Sequence, residues 1–314
     1  MGTTFTVKVV TGTLSESKRV RVQTLIEKEL DEIDGKMSHY LHESDLSRLN
    51  KSRDTRPIDV SGDTLAVFQH AQELAWLTGG AFDITVGALV NAWGFGPGRR
   101  PIEPPSDETL ARLVSQSGYT KLEIDLEEST IRKTEPTLTC DLSAIAKGYA
   151  VDRVTDALER KGFAHHMIEV GGEIRVTGLN ESNQPWRIAI ERPVPTSGLI
   201  AQRIVWLSDS AMATSGDYRN FYEMGGTRIS HTIDPRSGRP VEHRLFSVSV
   251  VDELCARADG LATALAVLGP EEGYELAASQ GWAALFIVSG DEGGFIEQMT
   301  PSFAGMVRRQ RGVQ

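Results

Sequence analysis

The sequence predicts an α+β fold: largely antiparallel sheets with flanking helices, in one compact unit spanning residues 1–314. Two observations predict it. In the second half, strand-like segments follow one another through turns, which is hairpin connectivity and not the crossover connectivity of a doubly wound sheet. The helical segments carry apolar residues at 3.6-residue spacing and bear their own start and stop signals. No internal repeat, low-complexity segment or evident linker divides the chain. With 314 residues, 40% hydrophobic and 24% charged, the composition is that of a globular protein with ample core.

The elements follow in order. "MGTTFTVKVV" alternates like a strand. In "SESKRVRVQTLIEKELDEID", Val22, Leu25, Ile26, Leu30 and Ile33 give an amphipathic helix. "KMSHYLHESDLSRLNKS" is polar and turn-rich, a loop with short helical turns. A second helix in "SGDTLAVFQHAQELAWLTGG" has Ser61 to cap it and Gly79 to stop it. The glycines and prolines of "AFDITVGALVNAWGFGPGRRPIEPPS" predict mostly loop. A short helix, "DETLARLVSQSG", leads to a hairpin, "YTKLEIDLEESTIRKTEP". In "DLSAIAKGYAVDRVTDALERKG", Ile145, Tyr149, Val154 and Leu158 line one helical face and Gly162 ends it. Strands follow from His165 to Val251. Two helices, "ARADGLATALAVLG" and "PEEGYELAASQG", come next, and the strands "WAALFIVSG" and "GFIEQMT" close the chain.

The net charge of -10 argues against general nucleic-acid binding, which needs clustered Lys and Arg; the short "RRQR" tail reads as solvated. No apolar run approaches the ~20 residues of a membrane span. The opening lacks the charged and apolar regions of a signal peptide. Cys140 and Cys255 have neither CxxC nor zinc spacing and read as two small buried residues, with a disulfide left open.

Five stretches could carry chemistry. Asp259 and Thr263 in "ADGLATAL" stand four apart on a helix, so a carboxylate and a hydroxyl share one face and suit a hard cation such as Mg²⁺; a dipole-favoured Asp with a back-bonded Thr is the plainer reading. "VGGEI", Val170–Ile174, reads as mid-strand glycines that mark a bulge or a ligand lying against Gly171 and Gly172. In "DLSAIAKGYAVD", a helix whose first turn holds Ala146 and Lys147 suits a diphosphate, or is simply capped with a solvated Lys. "ATSGDY" offers the hydroxyls of Thr214 and Ser215 beside Gly216, or only a loop. "RISHTIDPRSGRPV" reads as a hairpin that carries His231 just before an Asp-Pro turn, either a half-buried strand histidine or a rigidly mounted base. No GxxxxGK followed by Ser or Thr, no GxGxxG after a strand, no GxSxG and no HExxH occurs.

Taken in order, "MGTTFTV", "SHYLHESDLSRLN", "GGAFDITVGALVNAWGF", "DLSAIAKGYAVDRV", "VGGEIRVTG", "ATSGDY", "SHTIDPRSGRPV" and "ARADGLATAL" resemble the motif series of the ApbE family of FAD:protein FMN transferases, from Met1 to about Gly269. The resemblance implies the family's α+β fold, FAD bound as substrate, and Mg²⁺ at its diphosphate. It implies that FMN is joined through its phosphate to a Thr hydroxyl of an acceptor flavoprotein, with AMP leaving. Acceptors are expected among subunits of bacterial redox complexes. A periplasmic place at the inner membrane is expected, as a lipoprotein whose leader precedes this sequence. By matching position, Asp259, Thr263 and a carbonyl at Ala146 are expected to hold the metal. Met1, Tyr40, Asp83, Lys147, Gly172, Glu173, Ser215 and Ile233 are expected to line the FAD site. His231 and Asp259 are expected to be catalytic. One departure is Gly260, where the family more often has Ala; it costs a helix roughly 1 kcal/mol but keeps the ligand spacing. An FAD diphosphatase and a non-catalytic flavin-binding protein are the alternatives; Tyr40 favours transfer over hydrolysis.

Overall fold

The computed structural model describes residues 2–193, 200–216, 221–290 and 294–311. The chain runs β1 (Phe5–Val9), α1 (Glu16–Met37), α2 (Asp45–Lys51), β2 (Ile58–Asp59), α3 (Gly62–Leu77), α4 (Gly87–Ala92), α5 (Asp107–Gln116), β3 (Leu122–Asp125), β4 (Thr130–Lys133) and α6 (Ala146–Arg160). The second half runs β5 (His166–Val170), β6 (Glu173–Thr177), β7 (Trp186–Glu191), β8 (Ala201–Leu207), β9 (Ser210–Gly216), β10 (Phe221–Met224), β11 (Thr227–Ser230), β12 (Ile233–Asp234), β13 (Arg239–Pro240), β14 (Leu245–Asp252), α7 (Cys255–Ser279), β15 (Ala283–Ser289), β16 (Phe295–Met299) and α8 (Pro301–Arg311).

Local chemistry accounts for most of these elements. α1 buries Ile26, Leu30, Ile33 and Met37 at helical spacing. Ser44, Ser61 and Ser106 cap α2, α3 and α5 by accepting the N–H groups of Ser47, Thr64 and Thr109. α7 is broken at Gly269 (φ 80°), before Pro270, into the two helices the sequence predicts. Two elements differ from expectation. α4 lies where loop was predicted; its two short turns are too few for a period to stand out among the surrounding glycines and prolines. α8 follows the last strand, with Thr300 accepting the Phe303 N–H at 3.4 Å and Phe303 fully buried. Its sequence signals were a Thr-Pro start and apolar residues at 303, 306 and 307.

The described residues gather into two compact units, each made of separated chain segments. Two of the divisions fall at residues 32/33, inside α1, and 146/147, at the start of α6, so no Pro/Gly-rich linker marks them.

The first unit comprises residues 1–32, 147–218 and 244–314. Its seven-stranded sheet has the order β1-β5-β6-β9-β14-β15-β16, and every neighbouring pair is antiparallel. The predicted class is therefore observed. Alternation along β15 sorts the two faces. Leu285 and Ile287 join Ile188, Ile190, Val205 and Leu207 of the β7–β8 hairpin and Phe303 of α8 in one core cluster. Phe286, on the opposite face, meets the ring of Tyr274 in α7 at 6.0 Å. The sheet is thus covered on both faces. The second unit, residues 33–146 and 219–243, combines α2–α5 with a small β2-β4-β3 sheet and the hairpins β10–β11 and β12–β13. Its core joins Leu89, Trp93, Leu110, Tyr222, Ile229 and Ile233. Cys140 and Cys255 are both buried free thiols. Among the described residues, no helix is long and apolar enough to cross a membrane.

The start of α7 lacks a side-chain cap of its own. Asp152 of α6 supplies one: Oδ1 accepts the Cys255 N–H at 3.0 Å and Oδ2 the Ala256 N–H at 2.9 Å, while Arg175 of β6 donates to Oδ1 at 2.5 Å. Removing one member of a largely buried, hydrogen-bonded ion pair leaves the other unpaired and costs about 3–5 kcal/mol. Asp152→Ala is expected to lower stability by about that amount in urea denaturation. A loss under about 1 kcal/mol would mean that α7 does not depend on this cap.

Candidate functional site

In the first unit, the first turn of α6 meets the start of α7 with almost no space between them. A Cβ on Gly148 would lie 2.4 Å from the Cys255 carbonyl oxygen and 2.8 Å from the Ala256 Cα, so only glycine fits. Its N–H donates to Asp259 Oδ2 at 3.1 Å. Lys147, one residue earlier, places Nζ 3.5 Å from the same Asp259 oxygen and 3.5 Å from Glu173 Oε1. Glu173 opens β6, immediately after the Gly171–Gly172 turn.

That turn corrects the expectation of mid-strand glycines. Val170 and Glu173 are directly paired across the β5–β6 ladder, so Gly171 (φ 62°) and Gly172 (φ 104°) form a two-residue hairpin loop. Positive φ at both loop positions is what such a hairpin needs, and a Gly-Gly pair between alternating segments is its sequence signature. Lys147 Cδ lies 3.3 Å from where a Gly171 Cβ would stand, so the turn packs on the lysine stem. The Gly172 N–H donates to Glu169 Oε1 at 2.8 Å.

The electrostatics of this cluster follow from burial. Asp259 and Glu173 are each only 4% exposed. Burial pushes the Asp259 carboxyl up, against the Lys147 charge and the Gly148 N–H. Burial likewise pushes Glu173 up, to about 8, with the neighbouring Asp259 charge adding and Lys147 opposing. Burial works against the Lys147 ammonium too, but Asp259 and Glu173 outweigh it and hold its pKa above the ordinary lysine value. Glu173 Oε2 is buried with no hydrogen-bond partner among the described residues.

Thr263 lies one turn beyond Asp259 on α7 and is half-buried. Thr155 back-bonds to the Val151 carbonyl at 3.0 Å. The Thr263 hydroxyl, by contrast, makes no hydrogen bond to the described residues. A buried carboxylate and an unused hydroxyl, both oxygen donors, fit a hard divalent cation. Among the described residues, no three His, Cys, Asp or Glu side chains gather into a closed metal cage. Mg²⁺ commonly takes few protein ligands and completes its shell with water and substrate phosphates, so the donor set is compatible with it. Ser215 sits in β9 opposite Val248 of β14, a strand position and not the loop its composition also allowed. Its neighbour Thr214 shares a 2.7 Å hydrogen bond with Ser249.

The remaining expected residues belong to the second unit, except Met1, which lies outside the described residues. Ala146 opens α6, its N–H donating to the Leu142 carbonyl at 2.8 Å. Tyr40 is 66% exposed, its ring edge-on to His39 at 4.3 Å, and His39 Nδ1 stands 3.8 Å from Asp141 Oδ2. Asp83 is buried. Its Oδ1 accepts from the Thr85 N–H and hydroxyl, and its Oδ2 from the Tyr119 N–H. Burial raises its pKa despite those bonds. The Ile233 side chain is in the core.

His231 is not on a hairpin strand, which corrects the sequence reading. The observed hairpin pairs β12 with β13, and β11 pairs instead with β10, so His231 and Thr232 are the joint between two hairpins. The Thr232 N–H donates to Ser230 Oγ at 2.9 Å, a local side-chain turn that interrupts the strand. Asp152 and Arg175 escaped the sequence analysis. Their signal was a carboxylate on the buried stripe of α6, beside Tyr149 and Thr155.

The ApbE family model matches residues 1–286. The chain belongs to the ApbE family. It is 46% identical over 304 residues to the FAD:protein FMN transferase of Vibrio cholerae serotype O1, covering 96% of this chain and 89% of that protein. It is 39% identical to the Haemophilus influenzae protein of the same name, covering 96% and 88%. The solved flavin transferase ApbE from Vibrio cholerae superposes with a TM-score of 0.88 at 44% identity, covering 98% of this chain and 96% of that one. As a member of the ApbE family, the chain is an enzyme.

The pH dependence of stability follows from Glu173. Its folded pKa, about 8, lies above the ordinary 4.5, so between these values the native state binds more protons than the unfolded state. This contribution is complete below pH 4.5 and is lost as pH rises through about 8. The metal-free wild type is expected to lose stability across this window relative to Glu173→Gln, by up to about 1.4 kcal/mol per pH unit. Urea midpoints of both proteins from pH 5 to 9 check this; parallel profiles would place the Glu173 pKa near its ordinary value.

Proposed function

We propose that this enzyme transfers FMN from FAD to a Thr hydroxyl of an acceptor flavoprotein and releases AMP, with Mg²⁺ at the diphosphate. The supporting observation is the cluster of Lys147, Asp259 and Glu173 at the meeting of two helix starts, with the unused Thr263 hydroxyl one turn away. It offers a cation for an anionic substrate and oxygen donors for a metal, in a chain of the ApbE family.

In this reading, the acceptor Oγ attacks the phosphorus of the FMN half. The bond from that phosphorus to the bridging oxygen breaks, and AMP leaves with its electron pair. The hydroxyl proton passes to the imidazole of His231, which acts as general base. Asp259, Thr263 and the Ala146 carbonyl would hold Mg²⁺, and Asp259 counts as catalytic on that account. When bound, Mg²⁺ supplies charge neutralisation on the diphosphate oxygens, the main requirement of phosphoryl transfer. Lys147 adds a fixed positive charge for the same oxygens.

Met1, Tyr40, Gly172, Glu173 and Ser215 complete the proposed FAD contacts. Asp83 and Ile233 would serve through their backbone and by fixing their segments, since the Asp83 oxygens hold the Thr85 and Tyr119 donors and the Ile233 side chain is in the core. The acceptors we propose are subunits of bacterial redox complexes. The proposed location is the periplasmic face of the inner membrane, through a lipid anchor in the precursor.

Incubation with FAD, Mg²⁺ and an acceptor is expected to add one FMN phosphoester to the acceptor, read by intact-protein mass. EDTA and Asp259→Ala should each abolish the addition, while Thr263→Val should slow it less. Free FMN and AMP beside an unmodified acceptor would identify a diphosphatase instead. Unchanged FAD would identify a binding protein.

A further inference from the structure

His231 sits just outside the backbone pairing: the Val241 N–H donates to the Thr232 carbonyl at 3.0 Å, which carries the β12–β13 ladder up to its neighbour and no further. β11 ends at Ser230 and β12 begins at Ile233, so the imidazole is carried by a two-residue joint. A general base must be held within a fraction of an ångström of its target, so something other than a sheet ladder has to orient this ring.

The segment that follows α4 is placed to do it. The Phe95 N–H donates to the Val90 carbonyl at 3.0 Å, which ties the Phe95 backbone to the end of α4. The Phe95 ring stands edge-on to His231, with centroids 6.2 Å apart and planes at 66°. The same ring meets Tyr222 of β10 at 5.1 Å. Tyr222 is itself held twice. Its hydroxyl donates to the Trp93 carbonyl at 2.8 Å, and the Arg100 guanidinium covers its ring at 4.3 Å. Trp93 Nε1 reaches the other hairpin, donating to the Gly238 carbonyl at 2.8 Å. Residues 93–95 are therefore bonded to the β10–β11 hairpin through Tyr222 and to the β12–β13 hairpin through Gly238. Between those two attachments lies the joint that carries His231, and the ring facing it is Phe95.

We propose that Phe95 is a positioning residue for His231: braced by Tyr222 and Trp93, its ring fixes the imidazole at the joint between the two hairpins, so the transfer step depends on a side chain that need not touch substrate. This rests on the reading of His231 as the base. Edge-to-face aromatic contacts have a preferred geometry, so the brace orients the imidazole as well as filling space. Loss of the Phe95 ring removes this edge-on contact and lets the imidazole shift, and misplacement of a catalytic group by about 1 Å can cost on the order of 100-fold in rate.

The test is a double-mutant cycle on the full chain with FAD, Mg²⁺ and an acceptor. Saturated single-turnover transfer rates and FAD dissociation constants are measured for wild type, His231→Asn, Phe95→Ala and the double variant. Phe95→Tyr and Phe95→Leu are included, with thermal unfolding as the control for folding. Phe95→Ala is expected to lower the saturated rate by roughly 10- to 100-fold with little change in FAD affinity. Phe95→Tyr, which keeps the ring, should restore most of the rate, and Phe95→Leu should not. In the His231→Asn background, Phe95→Ala should cost almost nothing further, because the group it orients is gone. If Phe95→Ala fails to fold, the same comparison between Phe95→Leu and Phe95→Tyr decides. Equal losses in both backgrounds would overturn the proposal, showing that Phe95 acts other than through His231. A wild-type rate for Phe95→Ala beside a slow His231→Asn would overturn the Phe95 role alone. A near wild-type rate for His231→Asn would remove the base reading and the Phe95 role together.

Discussion

The first unit's functional cluster depends on one contact, the first turn of α6 against the start of α7. Its closeness comes from Gly148, where any side chain would collide with the Cys255 carbonyl. Its direction comes from Asp152, which gives α7 the N-terminal cap it lacks and is held in turn by Arg175 from the sheet. One helix therefore caps another through a buried carboxylate, and the arrangement brings Lys147 and Asp259 within 3.5 Å of each other. Neither residue could be placed so firmly from a loop. Each helix start fixes the other, and the sheet fixes both through β6, whose first residue is Glu173.

Two buried carboxylates beside a half-buried lysine are a poor way to stabilise a fold. Desolvation of each charge costs several kcal/mol, and mutual attraction recovers that only with good geometry. The geometry here is incomplete. The Lys147 contacts to Asp259 and Glu173 are at 3.5 Å, and Glu173 Oε2 has no hydrogen-bond partner among the described residues. By contrast, the Asp152–Arg175 pair, which serves structure, has a 2.5 Å bond and both carboxylate oxygens occupied. A tightly bonded pair and a looser set of charges thus lie close together, with Asp152 of the one and Lys147 of the other both on α6. Perturbed carboxylates beside a cation mark a candidate site for charged ligands.

Much of this was legible in the sequence. The capped helices, the hairpin connectivity and the paired Asp259 and Thr263 followed from spacing and turn chemistry, because those signals are local. What was not legible had two causes. Some signals were short. α4 is too brief to show a period, and the Gly171–Gly172 loop looked like a defect in one strand because both flanking segments alternate in the same sense. Other features are tertiary. The cap on α7 comes from a residue 103 positions earlier in the chain, and nothing in "ARADG" announces it. The interruption at His231 is of mixed kind. Ser230 accepting the Thr232 N–H is local, but it competes with strand pairing, and its outcome depends on β10 and β13 as partners.

Charge balance gives the Lys147 cluster its chemical sense. Near neutral pH, Lys147 carries one positive charge, burial raises the Asp259 carboxyl, and Glu173, with a pKa of about 8, is mostly protonated. The set then carries little net charge, which keeps the cost of desolvating it low. The proposed substrate brings a diphosphate with about two negative charges, and the proposed cation brings two positive. Binding both together would leave the site as near neutrality as before, whereas binding either alone would leave an uncompensated charge in a poorly solvated place. On this argument metal and FAD should favour each other's binding, and the coupling needs no movement of α6 or α7, only the shared electrostatic field of Lys147, Glu173 and Asp259.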